Sequence, residues 1–261
     1  MQAFNYSTPA SVADAAKAAA AEGAKIIAGG QSLLGAMKLG LAAPEALVDL
    51  GGIAELKGIT VSGGVVKIGA TTTHAAVAAS ADVQKAIPAL ADLAGHIGDR
   101  QVRNRGTLGG SLANNDPAAC YPAAVLALSA TVHTNTRSIA ADDFFKGLYE
   151  TALAEGEVIT AVSFPIPEKA GWQKFKQPAS RFSIVGVFVS KGPQGVRVAV
   201  TGAGAGVFRA KALEAKLATS WTGAACDGVT IPADGLSSDL HGSAEYRAAL
   251  IPVLAKRAVA G

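Results

Sequence analysis

The sequence of 261 residues is short of several things, and each shortage excludes a class of protein. It has only 2 cysteines, Cys120 and Cys226. That is too few for a disulfide framework or a cysteine-only zinc site, and one cysteine cannot hold an iron–sulfur cluster. Charged residues make up 16%, and 23 basic against 20 acidic residues leave a net charge of +3 with no block of Lys or Arg. Nucleic acid is therefore not an expected partner. No run approaches the roughly 18 apolar residues of a membrane span. The longest, from Pro117 to Ala130, is broken by Pro122. The first lysine is Lys17, so the basic region of a secretory leader is missing and a reducing cytoplasm is the expected setting. The 4 histidines fall in no HExxH pattern, and there is no CxxC and no GxSxG. Without an evident acid–base set, an enzyme made from this chain would rely on a bound cofactor.

Alanine and glycine are abundant instead, at 56 and 30 residues. The positive mean hydropathy therefore comes largely from alanine. Thr8 and Pro9 read as the start of an alanine-rich helix that ends near Gly23. Ala24–Ala28 and Ala46–Leu50 read as short buried strands. Ser62-Gly63-Gly64 joins Ile59–Val61 to Val65–Gly69 as a hairpin. Thr71 to His74 offers a helix cap, and Asp82–Ile97 reads as one helix that tolerates Pro88. The polar segment Gly98–Asp116 interrupts the pattern. Tyr121–Leu128 is helical, and Thr131–Thr134 and Val158–Phe164 are extended. Beyond Pro165–Gly171, strands at Trp172–Gln177, Ile184–Ser190 and Val196–Val200 are followed by helices at Arg209–Leu217 and Ser243–Ala258. The expected class is α+β.

Two glycine loops stand out: Ala28-Gly29-Gly30-Gln31-Ser32, and Thr107-Leu108-Gly109-Gly110-Ser111. Glycine lets backbone N–H groups approach an anion and turn into one concavity, and serine adds a donor. Two such loops face to face could clasp a diphosphate. Neither is GxGxxG or GxxxxGK[ST], and glycine pairs at 51–52 and 63–64 read as plain turns. Thr201-Gly202-Ala203-Gly204-Ala205-Gly206 follows a strand, but Val207 stands where a dinucleotide fingerprint needs glycine. Turn formation and close packing are expected there. Arg100, Arg103 and Arg105 form a basic cluster in a polar loop, either a solvated face or subunit contact, or a group that neutralises a phosphate or docks an acidic partner.

These loops, with Leu33-Leu34, Ile68–His74, Gly98–Gly106, Asp116-Pro117-Ala118-Ala119 and Asp239–Arg247, resemble the FAD-binding medium subunit of molybdenum hydroxylases of the carbon monoxide dehydrogenase and xanthine dehydrogenase type. The resemblance runs over nearly the whole chain. It implies a two-lobed FAD domain of the vanillyl-alcohol-oxidase (PCMH) type over residues 1–166, with lobes of about 1–57 and 58–166. A C-terminal domain over 171–261 would carry a small antiparallel sheet with helices. It implies FAD contacts from Lys25, Ile26, Ala28, Gly29, Gly30, Gln31, Ser32, Leu33 and Leu34, and from Ile97, Thr107, Gly109, Gly110, Ser111 and Asp116. Ile159 and Lys176 would add contacts from the later strands, with Arg181-Phe182-Ser183 near the flavin ring. Cys120 stands where many members carry the aspartate that binds the adenosine ribose. A thiol is a weak acceptor, so Asp116, another group or water must replace that contact.

The implied function is electron transfer through FAD within a larger enzyme. A large molybdopterin subunit would oxidise the substrate, and a small [2Fe–2S] subunit would relay electrons to this chain. A dimer of heterotrimers is the implied assembly. The alternative is a self-contained flavin oxidase or reductase of the same fold. No catalytic residue and no metal ligand is expected in this chain.

Overall fold

The computed structural model describes residues 2–261. Strands β1 (Asn5–Ser7), β2 (Ala24–Ile27) and β3 (Ala46–Asp49) form a parallel sheet in the order β1-β3-β2. Helix α1 (Val12–Ala19) buries Ala15 and Ala19, and packs on this sheet. Its cap is Ser11 and not Thr8: the Ser11 hydroxyl accepts the Asp14 N–H at 3.1 Å. A side-chain oxygen three residues before the free N–H is the geometry a cap needs, which Thr8 is too distant to supply. Helix α2 (Leu33–Lys38) follows the first glycine loop.

A five-stranded antiparallel sheet comes next in space. It contains β4 (Ile59–Ser62), β5 (Val65–Gly69), β6 (Thr131–Thr134), β7 (Ser138–Ala140) and the later strand Ile159–Pro165, which occupies the centre of the sheet. Helices α3 (His74–Ala79), α4 (Ala81–Ala86) and α5 (Pro88–Gly95) pack beside it. The single helix read over 82–97 is in fact two. Pro88 has no N–H to donate and starts α5 at its first position, while Ile87 leaves the helical region. The polar segment 98–116 is also more ordered than its composition implies. It holds α6 (Arg100–Arg105) and α7 (Leu108–Asn114), capped by Asp99 and Thr107. Helix α8 (Tyr121–Ala127) is buried on every side. A helix that is apolar all round belongs inside a core. Short elements α9 (Ala141–Phe144), β8 (Phe145–Gly147) and β9 (Glu150–Thr151) lead to the central strand, β10 (Ile159–Pro165).

The last sheet is antiparallel, in the order β11 (Lys169–Lys176), β12 (Ser183–Gly192), β13 (Gly195–Thr201), β14 (Phe208–Arg209). Along β12, Val185, Val187 and Val189 meet α10 (Lys211–Thr219) and α11 (Ala244–Ala260), whereas Phe188 joins the core around α8. Burial on both faces explains why this strand reads as an apolar run rather than an alternating one. Two connections tie the sheet to the segment before α8. The Thr201 hydroxyl donates to the carbonyls of Pro117 and Ala119, and the Gly202 N–H donates to Pro117. Gly202 has φ +81, and a Cβ there would meet the Ser183 carbonyl oxygen at 2.5 Å. The Thr201–Gly206 segment thus serves turn and packing, as its sequence suggests, and its later glycines border a cavity of about 610 Å³.

Candidate functional site

The two glycine loops touch. The carbonyl ends of the parallel strands open on the first loop, a position where α/β sheets leave a crevice for ligands. The two glycines of this loop are required for different reasons. Gly30 has φ +72, which a side chain would strain. Gly29 lies against the backbone entering the second loop: a Cβ there would sit 2.2 Å from the Arg105 carbonyl oxygen and 2.7 Å from Gly106 Cα. Among the described residues, the N–H groups of Gly29, Gly30, Gln31 and Ser32 find no acceptor within the chain. Four successive unpaired donors on a loop are suited to a polyanion.

The second loop is held from behind. The Leu108 N–H donates to Thr72, and the Gly109 N–H donates to Ala70 at 2.8 Å. The His74 N–H donates to Gly106, and Thr73 bridges Thr107. This backing explains the Ile68–His74 motif. A Cβ on Gly109 would meet Ala70 at 2.7 Å. Gly110 is exposed, and its N–H is taken by the Thr107 hydroxyl. The Ser111 N–H is taken by the Thr107 carbonyl. The loops therefore differ. The first presents free N–H donors, and the second presents a side-chain-free glycine surface with the Ser111 hydroxyl.

A cavity of about 220 Å³ opens beside the first loop, lined in part by Gly29, Gly30, Tyr6, Asp49 and Arg105; no residue of 107–111 lines it. Arg105 is exposed and makes no ion pair among the described residues. Tyr6 donates to the Asp49 carboxylate, and that bond holds the Tyr6 hydroxyl above its ordinary value. Of the basic cluster, Arg103 is structural, donating to the carbonyls of Ile97 and Gly98. Arg105 alone of the three borders the cavity. His74 is buried with its Nδ1 unpartnered, its ring 5.3 Å from that of Tyr121. Burial and, secondarily, the charge of Arg103 bring its imidazole down to about 4.

The remaining expected residues are spread along the molecule. Ala28, Leu33 and Leu34 are half-buried around the first loop, while Gln31 and Ser32 are exposed. Ile26 is half-buried on β2, and Lys25 is exposed there. Ile97 is half-buried. Ile159 is buried at a bulge of β10, next to Thr160, whose carbonyl accepts the Ala70 N–H. Asp116 accepts the Ala118 N–H at 2.8 Å. Lys176 is exposed at the end of β11. Arg181, at φ +62, donates to the Gly98 carbonyl and brings the β11–β12 turn to that loop.

Sequence reasoning missed Lys174. Its Nζ donates to the His96 carbonyl at 3.1 Å and lies 3.2 Å from Cys120 Sγ. The register of β11 shifts between Phe175 and Lys176, so alternation does not link Lys174 to Lys176, and its approach to Cys120 is set by how β11 packs. The special status of Arg105 within its cluster had no sequence signal, because it depends on the fold bringing Gly29 alongside.

Residues 2–167 match the family model for the FAD binding domain in molybdopterin dehydrogenase. The chain is 38% identical to the nicotine 6-hydroxylase medium subunit of Paenarthrobacter nicotinovorans, covering 99% of this chain and 97% of that one. It is 35% identical to the carbon monoxide dehydrogenase medium chain of Hydrogenophaga pseudoflava, covering 98% and 96%. A chain in the structure of reconstituted CO dehydrogenase from Oligotropha carboxidovorans superposes with TM-score 0.89 at 32% identity, covering 99% of this chain and 97% of that one. The chain belongs to the family of FAD-binding domains of molybdopterin dehydrogenases. Its cofactor is accordingly FAD. The loops fit that group, since the contact at Gly29 leaves a side-chain-free cradle and the donors beside it are unpaired.

Proposed function

We propose that this chain is the FAD-carrying electron-transfer subunit of a multi-subunit molybdenum hydroxylase, with the diphosphate of FAD seated between the two glycine loops. The observation that carries this reading is the contact of Gly29 with the Arg105–Gly106 backbone, beside unpaired N–H donors. FAD accepts electrons singly or in pairs, and so joins one-electron centres to a two-electron acceptor.

The chain's own contribution is to bind and orient. The N–H groups of Gly29 to Ser32 hold the negative end, and Arg105 offsets its charge. Gly110 lets the cofactor approach the backbone, with Ser111 beside it, while Gly109 packs the loop onto Ala70. Ile97, Asp116, Cys120, Ile159 and Lys176 would supply the remaining contacts. Among the described residues no group of His, Cys, Asp and Glu could hold a metal ion. Substrate oxidation belongs to a large molybdopterin partner, and a small [2Fe–2S] partner supplies the electrons. Two such heterotrimers would pair in the cytoplasm; no described helix is long and apolar enough to cross a membrane. The chain divides into an FAD-binding domain over 1–166 and a C-terminal domain over 171–261.

The test is reconstitution. The chain co-produced with its neighbouring subunits should show a flavin spectrum that bleaches when the complex's substrate is added. Absence of flavin in both the complex and the FAD-supplemented chain would overturn the reading.

A further inference from the structure

Lys174, which the electron-transfer reading does not use, meets Cys120, which that reading places beside the cofactor, where the four-stranded sheet is tied to the start of α8. Cys120 is 4% exposed, and its Sγ lies 3.2 Å from Lys174 Nζ. The Ser183 hydroxyl is 3.6 Å from the sulfur, and the His96 carbonyl takes one ammonium proton at 3.1 Å. The amine is thus steered toward the sulfur from a fixed point. Both backbones are also held: Lys174 lies within the β11–β12 ladder opposite Gly186, and the carbonyls of Pro117 and Ala119 are bound by Thr201.

Cys226 provides the contrast within the same molecule. It is also buried, and burial followed by the Asp227 charge pushes its thiol up. Lys256, whose charge partly offsets that rise, is committed to Asp227 at 2.7 Å. Of the two cysteines, only Cys120 has an amine within contact distance among the described residues.

We infer that Cys120 and Lys174 form an oxidant-dependent covalent bridge, a sulfenamide between Sγ and Nζ, with hydrogen peroxide as oxidant. The sulfur attacks one peroxide oxygen, the O–O bond breaks, and one water departs with the thiol proton. Cysteine sulfenic acid remains. The Lys174 ammonium gives one proton to water, and the amine so freed displaces the hydroxyl from sulfur. The S–O bond breaks as the S–N bond forms, and a second water leaves with one amine proton. Sulfur is oxidised by two electrons, and one peroxide becomes two waters. A thiol usually needs a second cysteine or a backbone nitrogen to trap its sulfenic acid, and here a lysine fills that place. The bridge fastens β11 to the start of α8, across a separation of 54 residues. It does not depend on the cofactor reading.

The test is mass spectrometry of the full-length chain after treatment with hydrogen peroxide. The expected product has lost two hydrogens per chain. Trypsin no longer cleaves after Lys174, the peptide holding Cys120 is joined to the peptide holding Lys174, and dithiothreitol reverses all of this. Lys174→Arg keeps the charge but should give no bridge, with Cys120 moving on to sulfinic acid. Cys226 should remain a thiol in both proteins. Recovery of Cys120 as free thiol or sulfinic acid in the unmutated chain, with Lys174 still cleaved, would overturn the proposal. So would the same loss of two hydrogens in the Arg variant.

Discussion

The carbonyl oxygen of Arg105 lies 2.2 Å from where a Cβ on Gly29 would be, so the two loops can meet only if position 29 has no side chain. The blocking atoms are backbone, which cannot move aside as a flexible side chain could. Gly29→Ala should therefore part the loops. FAD retention is expected to fall at least tenfold, while the far-ultraviolet circular dichroism stays unchanged. Flavin content per chain, read by absorbance after gel filtration, checks this.

Arg105 is the cation that borders the same cavity. It is exposed, so solvent screens it, and its worth is modest. Arg105→Gln should weaken FAD binding by ~1 kcal/mol, about fivefold. The difference should shrink as salt is raised, because exposed charges are screened. Fluorescence titration at two ionic strengths measures both effects. An equal loss at high salt would show that Arg105 acts by packing and not by charge.

His74 makes the second loop acid-sensitive. Its N–H holds the Gly106 carbonyl, and its ring fills the space a Cβ on Gly106 would need. Burial keeps the imidazole neutral down to about 4, below its unfolded value of 6.5. The unfolded chain therefore takes up the proton first as the pH falls. This contribution to stability is full above the unfolded value, declines as the pH falls between the two values, and levels off below the folded one. On the order of 2 kcal/mol should be lost between about pH 7 and about pH 5. Urea unfolding of the unmutated chain and of His74→Gln across that range checks it, since the variant should show a flatter dependence.

Phe188 joins the four-stranded sheet to the α8 core. It is fully buried, with its ring 6.2 Å from that of Trp172. Phe188→Ala should cost about 3–5 kcal/mol, from lost transfer energy and the cavity left behind. Chemical denaturation gives this directly. A cost near that of a surface substitution would mean that the core is not continuous from the five-stranded sheet to β12.

Much of this was readable in advance, for physical reasons that differ from element to element. Strong apolar patterns such as Tyr121–Leu128 and Val158–Phe164 gave their elements within a few residues, because periodicity and burial agree there. The Ser62-Gly63-Gly64 hairpin followed from turn chemistry alone, and both its glycines have positive φ. Local competition was harder to read. Ser11 displaced Thr8 as the cap, and Pro88 split a helix whose alanine content hid the break. Helix α6 lies in a segment whose charge suggested a loop. The glycine loops were legible as a pair, but their unequal roles were not. Which N–H groups stay free depends on Ala70 and Thr72 backing the second loop, and those contacts cross from the turn after β5 to α7. The proximity of Lys174 to Cys120 likewise depends on how β11 packs.

The central claim is that FAD lies between these loops, and Gly110→Asp tests it most directly. Gly110 is exposed, and the one atom an added Cβ would crowd is the Thr107 hydroxyl at 2.9 Å, which must shift; Gly110→Ala makes the same contact without the charge and is the control. A carboxylate there would crowd and repel a diphosphate. With the chain produced alongside its partner subunits, the account predicts a folded variant that carries no FAD, against about one FAD per unmutated chain. An unchanged flavin content in the Gly110→Asp protein would contradict it.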